Sequence, residues 1–282
     1  MNSRNEVQRE LAALLGSEAE ARTLIAHVCG VEVKELLSVA ELDDGEVKQL
    51  REFAARRAAG VPLQYLTGVA HFRSISVEVG EGVFIPRPET EFMAGWLIDR
   101  LLKMPGSPNV VELCAGTGAI SKAIAYERPG CSQYAVEIEA TAFGYLKQNL
   151  DGLGVKLEQG DMATAFPQLN GQADALIANP PYVPSGRELP TDVADYEPAI
   201  AVFAGEEGLD AIKSVIETAK RLLRPGGLLA FEHDDTQGIS APDLIKQSDG
   251  FSQIRDHTDL NGRPRFVTAM RVWSGMRRQI YT

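Results

Sequence analysis

Val110-Val111-Glu112-Leu113-Cys114-Ala115-Gly116-Thr117-Gly118-Ala119-Ile120 decides how the larger part of this chain folds. Its first four residues make a short apolar strand carrying one carboxylate. A run of small residues follows, and from Ala119 to Tyr126 the apolar positions take helical spacing. Strand, small-residue turn and helix together open a βαβ unit. The alternation then continues. Gln133 to Val136 reads as a strand, Ala140 to Leu150 as a helix, and Lys156 to Glu158 and Ala173 to Ala178 as strands. Gly208 to Leu223 reads as a helix closed by Arg224-Pro225-Gly226-Gly227, with Leu228 to Phe231 as the next strand. This predicts a parallel sheet covered by helices on both faces. Phe251 to Arg255 and Arg265 to Arg271 are joined only by His257 to Pro264, too short for a helical crossover, so that pair is predicted antiparallel.

Upstream, residues 1 to about 67 read as helical. Leu11, Leu14, Leu15, Ala21, Leu24, Ile25 and Val28 recur at three- and four-residue steps. Asp43-Asp44 and Glu46 cap an amphipathic run through Val47, Leu50, Phe53 and Ala54, which Gly60 and Pro62 end. With 8 Lys/Arg against 11 Asp/Glu, residues 1–67 have the mixed charge of a solvated bundle. Ile75, Val77 and Val79 then alternate, Gly80-Glu81-Gly82 reads as a turn, and Val83-Phe84-Ile85 as a returning strand. Pro86-Arg87-Pro88 breaks the pattern, and Glu89 to Lys103 restarts as a helix. The domains expected are a helical docking module over 1–70, a β-hairpin linker over 71–88, and a second domain over 89–282.

The chain of 282 residues carries a formal charge of −11, which argues against a dedicated duplex-binding surface. It has no apolar run of the length a membrane span needs, about 18 residues. The opening residues carry charges and no apolar core, unlike a secretory signal. Cys29, Cys114 and Cys131 are odd in number and lack metal-ligand spacing. The expectation is a cytoplasmic protein that takes a protein or small-molecule substrate, without nucleic acid, membrane or metal.

The loop from Cys114 to Gly118 lacks the GxGxxG spacing of dinucleotide sites, because Ser121 stands three residues after Gly118. It also lacks the Gly-Lys-Ser/Thr ending of a phosphate-binding loop. Glu112, which opens it, repels a phosphate and attracts a cation, a charge pattern that suits S-adenosylmethionine. Glu137 ends the second strand, 25 residues after Glu112, where an acid binds ribose hydroxyls in nucleotide-binding sheets. Glu139 is the alternative. Asp161 and Met162, after the third strand, could frame an adenine edge and face. Taken singly, these residues read equally well as a capping carboxylate, a turn aspartate and a core methionine. At the carboxyl ends of successive strands they describe one nucleoside cleft.

Asn179-Pro180-Pro181-Tyr182 follows the strand ending at Ala178. The prolines stiffen the turn and remove two backbone donors, leaving a carboxamide, a free carbonyl and a ring as a rim for a planar group bearing NH₂. Read alone, the same residues also describe a strand-ending turn. Glu232-His233-Asp234-Asp235 reads as a solvated acidic loop in preference to a metal or active-site element.

Four segments carry a resemblance that runs nearly end to end: PLQYLTGVAHF (62–72), GVFIPRPETE (82–91), ELCAGTGAI (112–120) and ALIANPPYVP (175–184). EPAIAVFAGEEGLD (197–210) and DLNGRPRFVTAM (259–270) fit as well. The chain resembles the HemK/PrmC protein-glutamine N5-methyltransferases, which modify bacterial peptide-chain release factors. The resemblance implies an α/β class I S-adenosylmethionine-dependent methyltransferase: a Rossmann-like, seven-stranded sheet with its last strand antiparallel, plus a small N-terminal helical substrate-docking domain. It places the cofactor on Glu112, Cys114, Ala115, Gly116, Thr117, Gly118, Glu137, Asp161, Met162 and Asn179. It places the substrate glutamine on Asn179, Pro180, Pro181 and Tyr182, with Asn179, Pro180 and Tyr182 catalytic. Glu112 stands where the family has Asp, Cys114 where it has its first loop glycine, and Met162 where an aromatic ring is common. If position 114 needs a positive φ, Cys114 is strained. An adenine-N6 nucleic-acid methyltransferase shares Asn-Pro-Pro-Tyr, but it calls for a basic recognition region that this acidic chain lacks. A binding protein whose altered loop no longer holds cofactor is the non-catalytic alternative; a nicotinamide dehydrogenase has the wrong glycine spacing.

Overall fold

The computed structural model describes residues 2–272, so the last ten residues of the expected second domain lie outside it. Two compact units form, one running up to Val69 together with Leu189–Tyr196, the other Ala70–Glu188 together with the residues from Glu197 on.

In the first unit β1 (Asn2–Ser3) leads into α1 (Arg4–Leu15) and α2 (Glu18–Val28). A 3₁₀ turn (Val33–Ser38) and β2 (Glu41–Leu42) precede α3 (Asp44–Ala58) and α4 (Leu63–Thr67). The cap read from Asp43 and Glu46 is present as a reciprocal capping box, with Glu46 N donating to Asp43 Oδ1 at 2.7 Å and Asp43 N to Glu46 Oε2 at 2.8 Å. Leu11, Leu24, Ile25 and Leu50, four of the residues whose spacing predicted the helices, are at most 1 % exposed and form its core. The paired β1 and β2 were not expected.

The second unit starts with a hairpin that corrects the sequence reading. Its strands are β3 (Val69–Phe72) and β4 (Ile75–Glu78), so the chain reverses at Arg73-Ser74 and not at Gly80–Gly82. Arg73 takes φ +52°, the left-handed conformation that a two-residue hairpin turn requires. Residues 83–85 form no strand.

After α5 (Pro88–Leu101) the βα alternation runs as read. It comprises β5 (Asn109–Leu113), α6 (Ala119–Glu127), β6 (Ser132–Glu137), α7 (Ala140–Asn149), β7 (Lys156–Gln159) and β8 (Ala173–Ala178). The short α8 (Thr191–Ala194) belongs to the first unit; α9 (Ala199–Val202) then precedes α10 (Asp210–Leu222) and β9 (Leu223–Glu232). Arg224-Pro225-Gly226-Gly227 does not end the helix before a new strand. It lies inside β9, and the pairing with β8 is irregular there. Helix α11 (Ser240–Ser248) separates β9 from β10 (Phe251–Thr258) and β11 (Pro264–Arg271).

These strands form one seven-stranded sheet, in the order β10-β11-β9-β8-β5-β6-β7. β5 to β9 are parallel, and β11 is antiparallel to both of its neighbours. Val111, Leu113, Leu176, Ala178, Leu229 and Phe231 are fully or almost fully buried on its faces. The strand order reverses on either side of β5, which places a crevice at the carboxyl ends of β5 and β8. Among the described residues no helix is long and apolar enough to cross a membrane.

Candidate active site

Strand register lines up the site. Leu113 pairs with Val136 on one side and Ala178 on the other, and Ala178 pairs with Phe231. The next residues of these strands, Cys114, Glu137, Asn179 and Glu232, therefore leave the sheet side by side, at strand spacings of about 4.8 Å. Glu137 in turn pairs with Gln159, which brings Asp161 and Met162 to the end of the row.

The loop after β5 is left-handed at alternate positions, with φ +53° at Cys114, +54° at Gly116 and +77° at Gly118. The strain expected at Cys114 is present, at about 1–2 kcal/mol for a residue with a Cβ. Neighbours hold it there: Ala115 N donates to Val136 O at 3.0 Å, Gly116 N to Glu137 Oε2 at 2.8 Å, and Asn149 Nδ2 to Thr117 O at 3.0 Å. Cys114 Sγ lies 3.7 Å from Met162 Sδ. Burial first, then the charge of Glu137, pushes the Cys114 thiol up, so it stays protonated. A Cβ on Gly118 would sit 2.7 Å from Leu146 Cδ1, whereas one on Gly116 would meet nothing within 4 Å. The loop thus packs down onto α7 through Gly118 and presents Gly116 to open space.

Glu112 faces inward, not toward a ligand. It is 2 % exposed, and its Oε2 accepts both the Ser121 N–H (2.9 Å) and the Ser121 hydroxyl. It therefore caps the start of α6 from below. Burial pushes its carboxyl from 4.5 up to about 7. The folded state consequently binds more protons than the unfolded state between those values, and cofactor-free protein loses stability as pH rises through that window. Glu112→Gln keeps an acceptor for Ser121 without a charge. Its stability relative to wild type is expected to grow from about pH 5 to about pH 8, by up to about 3 kcal/mol. Denaturant unfolding of both proteins at the two pH values checks this; parallel pH dependence would contradict it.

Glu137 is 8 % exposed and accepts from two backbone amides, Gly116 N on Oε2 and Glu139 N on Oε1, each at 2.8 Å. Each carboxylate oxygen keeps a second lone pair for a hydroxyl. Glu139 itself supplies a backbone donor here and the N-cap of α7. Asp161 Oδ1 accepts from Ala163 N at 2.8 Å. Ile138, which the sequence reading passed over, stands 54 % exposed between the two glutamates. The row holds carboxylates, thioether and alkyl surface and no basic side chain. That donor set fits S-adenosylmethionine, a cation with ribose hydroxyls and a flat base, and it does not fit a phosphorylated cofactor.

At the neighbouring strand end, Asn179 Nδ2 donates to Thr90 Oγ1 at 3.1 Å and Thr90 donates to Glu232 Oε2 at 2.6 Å. Tyr182 OH donates to Glu232 Oε1 at 2.8 Å. The rest of the turn is held from behind. Val183 N donates to Val202 O, Ala204 N to Val183 O, and Gln237 Nε2 to both Tyr182 O and Glu207 O. The stretch from Glu197 to Asp210 is thus the scaffold of Asn-Pro-Pro-Tyr. The acidic loop after β9 is buried, contrary to the solvated reading: Glu232 is 1 % exposed, His233 0 % and Asp234 6 %. His233 is tied to Asp234 O and Asp256, and Asp234 to Arg187 at 2.5 Å. Among the described residues no group of three His, Cys, Asp or Glu is placed to hold a metal.

The chain is similar to known proteins along most of its length. Residues 4–68 match the PrmC N-terminal domain family and residues 80–195 the Methyltransferase small domain family. The chain is 43 % identical over 264 residues to the release factor glutamine methyltransferase of Streptomyces coelicolor, covering 93 % of each protein. The chain belongs to the release factor glutamine methyltransferase family. It is also 34 % identical to the 4-amino-L-phenylalanine/4-methylamino-L-phenylalanine methyltransferase of Streptomyces pristinaespiralis, over 87 % of this chain and 85 % of that one. A methyltransferase from Pyrococcus furiosus shares the fold, with TM-score 0.51 at 16 % identity over 82 % of this chain and 100 % of the other.

This member of the release factor glutamine methyltransferase family is an enzyme of the class I, S-adenosylmethionine-dependent type. Nine of the ten positions expected to meet the cofactor lie on the loops that leave the carboxyl ends of β5 to β8 or on the last residue of a strand; Glu112 lies within β5 and is turned toward Ser121. Thr90 and Glu232 are the residues that sequence reasoning missed. Thr90 was visible inside the segment 82–91, and Glu232 as the acid that ends the strand next to β8.

Proposed function

We propose that this enzyme transfers a methyl group from S-adenosylmethionine to the side-chain amide nitrogen (N5) of the glutamine in the Gly-Gly-Gln motif of a peptide-chain release factor. The observation that carries the reading is the Asn-Pro-Pro-Tyr rim, set one strand away from a cofactor loop with no basic side chain. A glutamine amide nitrogen is a weak nucleophile because its lone pair is delocalised into the carbonyl. The Asn179 Oδ1 and Pro180 carbonyl oxygens accept the two N–H bonds of that amide, fixing its plane and raising electron density on nitrogen. Tyr182 covers the amide plane and faces the positive charge that develops there. Orientation of this kind supplies up to about 7–11 kcal/mol of barrier reduction. When bound, S-adenosylmethionine would supply an electrophilic methyl group to the amide nitrogen, whose surplus proton would pass to solvent. Gly116, Glu137, Asp161 and Met162 hold the nucleoside. The helical unit over residues 1–70 docks the protein substrate, in a cytoplasmic enzyme that needs neither nucleic acid nor membrane.

The amino group of 4-amino-L-phenylalanine, like a glutamine amide, has its lone pair spread into a flat π-system. A rim of this chemistry suits either kind of nitrogen. Labelled cofactor incubated with release factor, with 4-amino-L-phenylalanine and with adenine-containing DNA separates the three. Label is expected on the release factor; label on DNA or on the free amino acid in its place would overturn the reading.

A further inference from the structure

Resting on that reading, the geometry points to Thr90 and Glu232 as positioning residues that fix which way round the Asn179 amide sits. The two ends of an asparagine amide are nearly the same size, so shape alone does not choose between oxygen and nitrogen at a given spot. Only one orientation offers the substrate NH₂ an acceptor. The choice is made by counting protons. Thr90 has one hydroxyl proton, and it lies 2.6 Å from Glu232 Oε2. Burial pushes the Glu232 carboxyl up, but the Thr90 and Tyr182 hydroxyls, one on each of its oxygens, oppose that shift; with both oxygens accepting, the Thr90 proton goes to Glu232. Toward Asn179, at 3.1 Å, Thr90 Oγ1 has only lone pairs left, and it therefore selects the Nδ2 end. Among the described residues Oδ1 then has no protein donor, and it is not sealed off from solvent. The other oxygen of Glu232 is occupied by Tyr182 OH. The same carboxylate thus fixes both the amide and the ring of the rim.

Burial makes the arrangement stiff. Thr90 is 3 % and Glu232 1 % exposed, so water does not compete for these bonds. The three elements come from far apart in the chain: Thr90 from the first turn of α5, Asn179 from the end of β8, and Glu232 from the end of β9. Nothing in the stability of α5 itself requires a hydroxyl at position 90, since the N-cap of that helix is Arg87.

Thr90→Val keeps the shape and removes the hydroxyl. It is expected to lower kcat for release-factor methylation about 10- to 100-fold, the worth of one hydrogen bond to a charged group, while cofactor Kd stays near wild type and Tm falls by only a few degrees as Glu232 loses one buried donor. Thr90→Ser should restore kcat to within a few-fold. A second readout is independent of the substrate. Asn179 side-chain N–H protons should exchange slowly with solvent in wild type and Thr90→Ser, and fast in Thr90→Val. Equal exchange in wild type and Thr90→Val would overturn the proposal, as would a Thr90→Ser variant as slow as Thr90→Val. A wild type inactive on release factor, with the exchange pattern as expected, would instead fault the functional reading and leave the positioning role standing.

Discussion

Asn179→Ala is expected to abolish methylation, with kcat/KM falling about a thousandfold or more, while the protein stays folded and binds cofactor within a few-fold of wild type. Asn179 is half-buried at the end of β8, and its side chain makes one bond to the protein, to Thr90. Removing it costs the fold little more than that bond, about 1 kcal/mol. Its loss at the rim is of another order. The substrate amide loses the acceptor that orients its NH₂, and the Pro180 carbonyl alone leaves the group free to rotate. The expected signature is a kcat effect, because an interaction that strengthens as charge develops on nitrogen stabilises the transition state more than bound substrate. Calorimetry with S-adenosylmethionine and single-turnover kinetics read the two quantities separately. Full turnover in the variant would remove Asn179 from the mechanism, and lost cofactor binding would make it a cofactor residue first.

Gly208→Ala is expected to be the most damaging small substitution behind the rim. Gly208 has φ +70°, and a Cβ there would lie 2.1 Å from Tyr182 O and 2.8 Å from Gln237 Nε2. Tyr182 O is backbone and has no rotamer to escape through, so either the Asn-Pro-Pro-Tyr turn or residues 205–208 must move. The combined strain and overlap are worth about 2–4 kcal/mol. The displacement also carries Tyr182 away from Glu232 and breaks the Gln237 bond to Tyr182 O, so kcat should fall with stability. Gly152→Ala is the control. It has φ +72° but nothing within 4 Å of its Cβ, so only the backbone penalty of about 1–2 kcal/mol applies. Thermal unfolding and kcat of both variants give the comparison. Equal losses in both would show that the contact with Tyr182 does not matter.

Much of this architecture was legible because it rests on local pattern. The strands from Val110 on, the helices between them and the antiparallel closing pair follow from apolar spacing and connection length, with errors of only a few residues at most ends. The hairpin was misplaced because Gly80-Glu81-Gly82 is a stronger turn signal than Arg73-Ser74. The sequence does not announce that an arginine takes a left-handed φ. The Arg224–Gly227 stretch was read as the stop of a helix because proline and glycine usually end helices, yet here they form an irregularity within β9.

The site divides in the same way. Loop and rim residues were found, since small residues and prolines at strand ends are visible one strand at a time. Glu232 was misread as solvated because its burial depends on Thr90 and Tyr182, which lie 142 and 50 residues away. Glu112 was read as facing the ligand because its position opens the loop. A strand alternates faces, and the structure turns this residue toward Ser121.

The central claim is that this rim serves a protein glutamine. Mass spectrometry of a release factor incubated with the wild-type enzyme and S-adenosylmethionine tests it most directly. One added methyl group on the side-chain nitrogen of the Gly-Gly-Gln glutamine, absent when Asn179→Ala is used, is the predicted result. An unmodified glutamine after incubation with folded, cofactor-binding enzyme, or a methyl group on any other residue, would contradict it.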